Sequence, residues 1–221
     1  DIVDRDLDSQ VARTALRPIP SAAVTLRQAW TFLIFQLLLG LFVLLQFNFV
    51  TIGLGIASLA LVATYPFMKR ITYWPQAWLG LTFNWGALMG WTAVIGSLDW
   101  PAAILYMAGF FWTLGYDTIY AHQDKEDDAL IGVKSSALAL GAQTTPFVIV
   151  MYTVTLVLLG WASSMVNLSW GAGLFLFFAA VHFTWQAATL DTTDAANCSK
   201  RFKSNRDVGL LIVFALICVN L

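Results

Sequence analysis

Charged residues are scarce in this sequence. Of its 221 residues, 11% are Asp, Glu, Lys or Arg and 59% are hydrophobic, whereas an average soluble chain carries roughly 25% charged residues. This composition excludes an ordinary soluble globular domain and predicts a membrane protein. The net charge of −1 says nothing about partners, because the position of each charge matters more than the sum.

Cysteine is nearly absent, and no signal peptide precedes the first motif. Cys198 and Cys218 are too few for a disulfide framework, and we expect neither a disulfide nor a metal site from them. The sequence opens on acidic residues without an initiator Met and stops within an apolar run. We therefore expect a fragment, with residues 1–221 forming a single membrane domain.

Long apolar runs fill most of the chain. A helix needs about 20 apolar residues to cross a bilayer. The sequence predicts such spans at 29–47, 49–68, 76–98, 100–121, 145–165 and 170–190, with a further one that starts near Val208 and is too short to cross as it stands. This pattern predicts an all-α, polytopic transmembrane helix bundle with about seven spans.

The basic residues all fall on one side of the predicted membrane. They are Arg5, Arg13, Arg17, Arg27, Lys69, Arg70, Lys125, Lys134, Lys200, Arg201, Lys203 and Arg206. Asp99 is the only charged residue predicted on the opposite side. The positive-inside rule makes the basic side the cytoplasm, or the matrix of a mitochondrion. We expect a bacterial inner membrane, with the mitochondrial inner membrane as the alternative.

Two acidic clusters, at residues 1–8 and 117–128, lie where predicted spans begin or end. Carboxylates are costly beside a bilayer, so their presence at helix ends suggests a site. Mg²⁺ prefers such oxygen ligands, typically one or two carboxylates together with the phosphates of a substrate. Four spans separate the clusters, which places both on the same side and allows one shared diphosphate site.

The spacing within each cluster predicts a carboxylate face on a helix. Asp1, Asp4 and Asp8 follow one helical face. A second face is predicted to hold Asp117, Tyr120, Asp124 and Asp128. Glu126 and Asp127 fall off that face. The alternative reading of either cluster is solvated loop charge.

Three cations lie close to these carboxylates in the sequence. Arg13 and Arg17 are four residues apart and precede Pro18, and Lys134 follows the second cluster. Such cations can bind the remaining diphosphate oxygens and offset the charge of a leaving group. The alternative is that they set the topology or anchor lipid headgroups.

The motifs together resemble the UbiA-type prenyltransferase family. Asp1-x-x-Asp4-x-x-x-Asp8 resembles the family pattern N-D-x-x-D-x-x-x-D, and residues 13–21 resemble R-T-x-x-R-P-L-x-S-G, with Ala22 where Gly is usual. Residues 116–135 resemble the second acidic motif. The segments at 65–80 and 202–209 resemble the 4-hydroxybenzoate polyprenyltransferase branch in particular.

This resemblance implies a function and a set of roles. It implies Mg²⁺-dependent transfer of a polyprenyl group from polyprenyl diphosphate to 4-hydroxybenzoate, ortho to its hydroxyl, in ubiquinone biosynthesis. The implied metal and catalytic residues are Asp1, Asp4, Asp8, Asp117, Asp124 and Asp128. The implied substrate-binding residues are Arg13, Arg17, Lys69, Arg70, Tyr120 and Lys134, with Arg70 and Lys69 candidates for the acceptor's carboxylate.

The resemblance also implies membrane lipid as a partner, no nucleic acid, and two of nine family helices missing at the N-terminal end. Two alternatives stay open. One is an enzyme of the same fold with a naphthoate, homogentisate, haem or lipid acceptor. The other is a cation transporter, which the sequence disfavours because no acidic residue lies in the middle of a span.

Overall fold

The computed structural model describes residues 2–11, 14–167 and 169–218, and its regular structure there is helical. The helices are α1 Arg5–Asp8, α2 Leu26–Leu44, α3 Phe49–Ile71, α4 Pro75–Phe83, α5 Gly86–Ile95, α6 Trp100–Ala121, α7 Lys125–Ile131, α8 Ser136–Leu140, α9 Thr144–Ser164, α10 Trp170–Ala188 and α11 Ala195–Cys218. A short 3₁₀ turn at Gly141–Gln143 joins α8 to α9. The all-α prediction is confirmed.

In the part of the chain that the structure describes, four helical stretches are long and apolar enough to cross a membrane. They are Leu26–Leu44, Phe49–Ile71, Ser136–Ser164 and Trp170–Ala188. Helices α6 and α11 have comparable length, but α6 contains several Trp and Tyr residues and α11 begins with charged ones. No residue of α2 is buried, and its exposed apolar side chains suit contact with lipid.

Helix α6 lies at the centre of the bundle. It packs against α4, α5, α9 and α11, while α10 packs against α9 and α11. The core between these helices includes Ile119, Val148 and Phe183. A side chain at Gly115 would come within 2.8 Å of the Tyr152 ring. Glycine is therefore needed there for the close approach of α6 and α9, as is common between membrane helices.

Polar groups buried between the outer helices are hydrogen-bonded across them. Thr51 Oγ1 on α3 donates to Thr92 Oγ1 on α5 over 3.0 Å, and Asn48 Nδ2 donates to the Thr92 carbonyl over 2.7 Å. The Asn48 side chain also accepts from the Thr51 N–H, which caps α3 where the sequence predicts a tight turn. These contacts fix α3 against α5.

Two predicted segments have different boundaries in the structure. The predicted span at 76–98 is broken between α4 and α5, where Asn84 Nδ2 donates to the Gly80 carbonyl and to Thr113 Oγ1, each over 2.8 Å. The last helix begins at Ala195, ahead of Val208, because the Asp194 carboxylate accepts from the Ala196 N–H over 2.8 Å and starts a helix through the polar residues.

The chain reversals bring the charged helix ends together. The C-terminal end of α3, the N-terminal end of α4 and the C-terminal end of α6 border one cavity. Asp99 precedes α6, so it lies roughly 33 Å away along that helix. The polar side and the nearly uncharged side are thus at opposite ends of the bundle.

Candidate active site

A cavity of about 410 Å³ is lined by carboxylates from both acidic clusters. Its carboxylates are Asp4, Asp8, Asp117, Asp124 and Asp128. Three predicted cations also line it, namely Arg17, Lys69 and Lys134, and so does Tyr120. The fold therefore brings together residues that are more than 100 positions apart in the sequence. Asp1 and Arg13, also predicted for this site, lie outside the described residues.

The first acidic segment is held mainly by turns. Helix α1 has four residues, with Asp4 just before it and Asp8 as its last residue. Residues 9–11 and 14–24 form turns and bends, so the helix ends at Asp8. The predicted helical faces that include Asp1 and Arg13 lie outside the described residues. Asp4 and Asp8 still face the same cavity.

Asp4 is held by two consecutive cations at the end of α3. Lys69 Nζ lies 2.9 Å from Asp4 Oδ2, and Arg70 Nη2 lies 3.1 Å from Asp4 Oδ1. Arg70 Nη2 also donates to the Val3 carbonyl over 3.1 Å. Lys69 lines the cavity whereas Arg70 does not. Arg70 therefore anchors the N-terminal segment to α3 in this structure.

Asp8 of this segment also forms an ion pair. Arg17 Nη1 lies 3.0 Å from Asp8 Oδ2, and the Asp8 side chain is only 8% exposed. Thr14 Oγ1 donates to the Asp8 carbonyl over 2.8 Å. These bonds hold the turn between Asp8 and Arg17, so that a carboxylate and a guanidinium face the cavity side by side.

The second acidic segment spans two helices separated by a turn. Helix α6 ends at Ala121 and α7 begins at Lys125, with Asp124 as its N-cap residue. The predicted continuous carboxylate face is wrong in this respect. The buried His122 ring explains the break, since its Nε2 lies 2.9 Å from Thr144 Oγ1 at the start of α9. Burial lowers the pKa of His122 to about 4, which keeps the ring neutral.

The four predicted residues of this segment nevertheless share the cavity wall. Asp117 and Tyr120 lie on the last turns of α6, and Asp124 and Asp128 lie at the start of α7. Burial, with Asp124 close by, raises the pKa of Asp128 to about 6. Glu126 is not a lining residue, as the spacing predicts. Gly132, with φ +73°, then ends α7.

Lys134 lies in the loop that closes the cavity on the α3–α4 side. Its backbone N–H donates to the Lys69 carbonyl over 2.9 Å, and its Nζ donates to the Ile71 carbonyl over 3.0 Å. The same ammonium lies 5.6 Å from the centre of the Tyr73 ring. Lys134 is thus positioned by contacts with the end of α3, and it lines the cavity together with Lys69.

The sequence assigned no individual role to four other polar residues of the cavity wall, one of which is Thr14. Tyr65, Gln76 and Ser135 all line the space between the two acidic segments. Tyr65 lies one helical turn before Lys69 on α3, and that spacing could have identified it. Gln76 could not have been identified in this way, because the contact that orients it comes from residue 136.

The arrangement suits a divalent cation only together with a ligand that supplies further oxygens. Within residues 2–11, 14–167 and 169–218, no three acidic, His or Cys side chains converge closely enough to hold a metal ion. The five carboxylates are instead distributed around the cavity wall. Mg²⁺ commonly uses one or two protein carboxylates, its remaining positions being filled by water and substrate phosphates. The donor set fits that mode.

An apolar cavity of about 890 Å³ adjoins the polar one. It is lined by the N-terminal segment and α2, including Ile19, Trp30 and Phe32, and Pro66 lines both cavities. A charged head in the polar cavity could therefore have its apolar tail in the second. This pairing of spaces is what an amphipathic lipid diphosphate requires.

Comparison with known proteins gives a family and a fold. Residues 1–215 match the UbiA prenyltransferase family. The chain is 48% identical over 219 residues to the mitochondrial 4-hydroxybenzoate polyprenyltransferase of Arabidopsis thaliana, covering 98% of this chain and 54% of that protein. It is 49% identical over 226 residues to the Bos taurus protein of the same name, covering 100% and 60%. The chain thus spans little more than half the length of these relatives.

Two solved structures share the fold. A UbiA homolog from Aeropyrum pernix K1 has a TM-score of 0.84 and 24% identity, covering 100% of this chain and 82% of that one. A digeranylgeranylglyceryl phosphate synthase structure has a TM-score of 0.74 and 19% identity, covering 99% and 78%. At these identities the likeness concerns the fold alone.

Proposed function

Because the chain belongs to the UbiA prenyltransferase family, we propose that the protein transfers a polyprenyl group from polyprenyl diphosphate to 4-hydroxybenzoate, ortho to the hydroxyl. The observation that carries the proposal is the shared cavity, where two acidic segments and three cations meet beside an apolar space. The names of the relatives support the choice of acceptor.

The donor's diphosphate is assigned to the polar cavity. Mg²⁺ held by the aspartates would supply positive charge that neutralises the diphosphate and favours its departure. Arg17 and Lys134 would bind the remaining diphosphate oxygens, since charge-assisted hydrogen bonds to anions are the strong ones. The prenyl tail would lie in the apolar cavity along α2.

Transfer would then exchange one bond for another. The bond between the prenyl carbon and the diphosphate oxygen breaks, and its electron pair leaves with pyrophosphate. The ring carbon ortho to the hydroxyl bonds to the prenyl carbon and subsequently loses its proton, which restores aromaticity. The chain contributes cations that stabilise the leaving group and a water-poor wall that protects the allylic cation.

The acceptor's carboxylate needs a cation close to the diphosphate. Arg70 and Lys69 remain the candidates, and both contact Asp4 in the structure. Lys69 lines the cavity, so it can reach the acceptor directly. Arg70 would contact the acceptor only after exchanging its bond to Asp4, or would act by holding Asp4 in place.

We assign the site to the membrane side that carries the basic residues. That side is the bacterial cytoplasm or the mitochondrial matrix. The sequence alone favours the bacterial membrane, whereas the relatives named above are mitochondrial, which supports the mitochondrial inner membrane. Labelling of single cysteines at Lys69, Lys134 and Lys203 from one face, and at Asp99 from the other, would support the orientation. Labelling of Lys134 and Asp99 from the same face would contradict it.

The function is tested by product formation. Membranes that contain the full-length protein should convert 4-hydroxybenzoate and a polyprenyl diphosphate into the 3-prenylated acid and pyrophosphate, and chelation of Mg²⁺ should abolish the reaction. A matched panel of naphthoate and homogentisate acceptors provides the control. Preferred turnover of another acceptor, or no pyrophosphate release with any of them, would contradict the proposal.

A further inference from the structure

Gln76 is a buried amide in the wall of the polar cavity. Its residue is 5% exposed, and it lies in the first turn of α4, directly after Pro75. It lines the cavity together with Asp117, Lys69 and Ser135. A buried amide normally satisfies both its oxygen and its nitrogen, so the partners of each atom are informative.

One end of this amide is fixed by the backbone. The Ser136 N–H donates to Gln76 Oε1 over 3.2 Å. Only the oxygen can accept this bond, so the NH₂ group must point the other way. Ser136 is itself fully buried, and its Oγ lies 2.9 Å from Thr118 Oγ1 on α6. The amide is therefore held between α4, α6 and the first residue of α8.

The other end of the amide points away from the Ser136 N–H. Gln76 Nε2 makes no hydrogen bond within the described residues, yet it is not among the polar atoms sealed away without one. It is therefore open to the cavity. A rigid donor left open at a substrate cavity is suited to hydrogen-bond a ligand, because burying it unpaired would be costly.

The charges around Gln76 Nε2 indicate which kind of ligand oxygen it would donate to. Three cations, Arg17, Lys69 and Lys134, line the same cavity and are the stronger partners for anionic oxygens. A neutral amide suits an uncharged oxygen. The phenolic hydroxyl of the acceptor is such an oxygen, whereas the terminal diphosphate oxygens and the carboxylate oxygens share negative charge.

We propose that Gln76 Nε2 donates a hydrogen bond to the hydroxyl oxygen of the aromatic acceptor and so makes the site prefer 4-hydroxylated acids. This inference rests on the proposed function, and it adds a binding residue for the acceptor. The hydrogen bond would also fix the rotation of the ring, so that the carbon ortho to the hydroxyl faces the prenyl carbon.

The test compares two ligands in the full-length protein. Calorimetric affinities for 4-hydroxybenzoate and benzoate are measured in the wild type, in Gln76→Met and in the control Gln46→Met. The exposed Gln46 side chain donates to the Phe42 carbonyl of α2 and does not line the polar cavity. We expect the wild type and the control to prefer 4-hydroxybenzoate by about 10- to 100-fold. In Gln76→Met, the affinity for 4-hydroxybenzoate should fall to that for benzoate, which should stay unchanged.

Several outcomes would overturn the assignment. Equal affinities for the two acids in the wild type would do so whether or not the variant folds. Equal weakening of both acids in a folded Gln76→Met would assign the amide to the carboxylate. A raised KM for the prenyl diphosphate with an unchanged acceptor preference would assign it to the donor. If one of these three results is obtained and the wild type still forms prenylated product, the role assigned to Gln76 is wrong but the proposed function stands. If the wild type forms none and binds neither acid, the proposed function fails, and this inference with it.

Discussion

The two acidic segments of the cavity differ in how their charge is balanced. In the first, Asp4 pairs with Lys69 and Arg70, and Asp8 pairs with Arg17. In the second, burial and the neighbouring Asp124 raise the pKa of Asp128. A cation nearby favours the ionised form of such a carboxyl group. From this comparison we expect a bound cation to stabilise the second segment more than the first.

The largest effect is expected in the second segment. Asp117→Ala and Asp124→Ala should each lower turnover by roughly 10²- to 10³-fold, as loss of a group that stabilises transition-state charge commonly does. Both variants should still insert into membranes. Turnover is measured in membranes with matched protein amounts.

Glu126→Ala is the matched control, since Glu126 lies in α7 but not on the cavity wall. It should retain most of the activity. Damage equal to that of Asp124→Ala would mean that the cavity does not define the site.

The first segment should respond through substrate binding. Asp8→Asn removes the ion pair between Asp8 and Arg17, so the guanidinium should shift and the KM for the diphosphate should rise about tenfold. Asp6→Asn is the control, because Asp6 is 85% exposed and its ion pair is with the adjacent Arg5. An unchanged donor KM in Asp8→Asn would show that this ion pair does not order the donor site.

Arg70 separates acceptor binding from anchoring. If Arg70 binds the acceptor, Arg70→Ala should raise the acceptor's KM several-fold more than the donor's. Arg70→Lys should recover part of the loss, since an ammonium lacks the planar fork of a guanidinium. Arg206→Ala, which removes an exposed cation paired with its neighbour Asp207, is the control. Equal changes in both KM values would assign Arg70 to anchoring Asp4.

The smallest effect concerns pH. The pKa of Asp128 is raised to about 6, so this carboxyl is ionised above that pH and protonated below it. Mg²⁺ affinity, measured by calorimetry, should be about halved at pH 6 relative to pH 8 and should fall further as the pH drops, because the metal must displace the proton. Asp128→Asn should weaken binding at pH 8 and flatten this dependence. A wild-type profile that is flat down to pH 5 would contradict the raised pKa.

The sequence predicted which residues share the cavity, but it did not predict the helix breaks in the segments that carry them. Asp4 and Asp117 could be assigned to one side because an even number of spans separates them. The break after Ala121 could not be predicted, since it depends on the contact of His122 with Thr144. The break at Asn84 likewise depends on Thr113 of another helix. Side-chain contacts between distant segments carry no periodic signal.

The central claim is that both acidic segments form one diphosphate site, and a double-mutant cycle tests it most directly. Mg²⁺-dependent binding of an unreactive polyprenyl thiodiphosphate is measured in the wild type, in Asp4→Asn/Asp8→Asn, in Asp124→Asn/Asp128→Asn and in the combined variant. A shared site predicts strongly non-additive losses, with either pair removing most of the binding. Losses that simply add, or one pair with no effect on binding, would contradict a shared site.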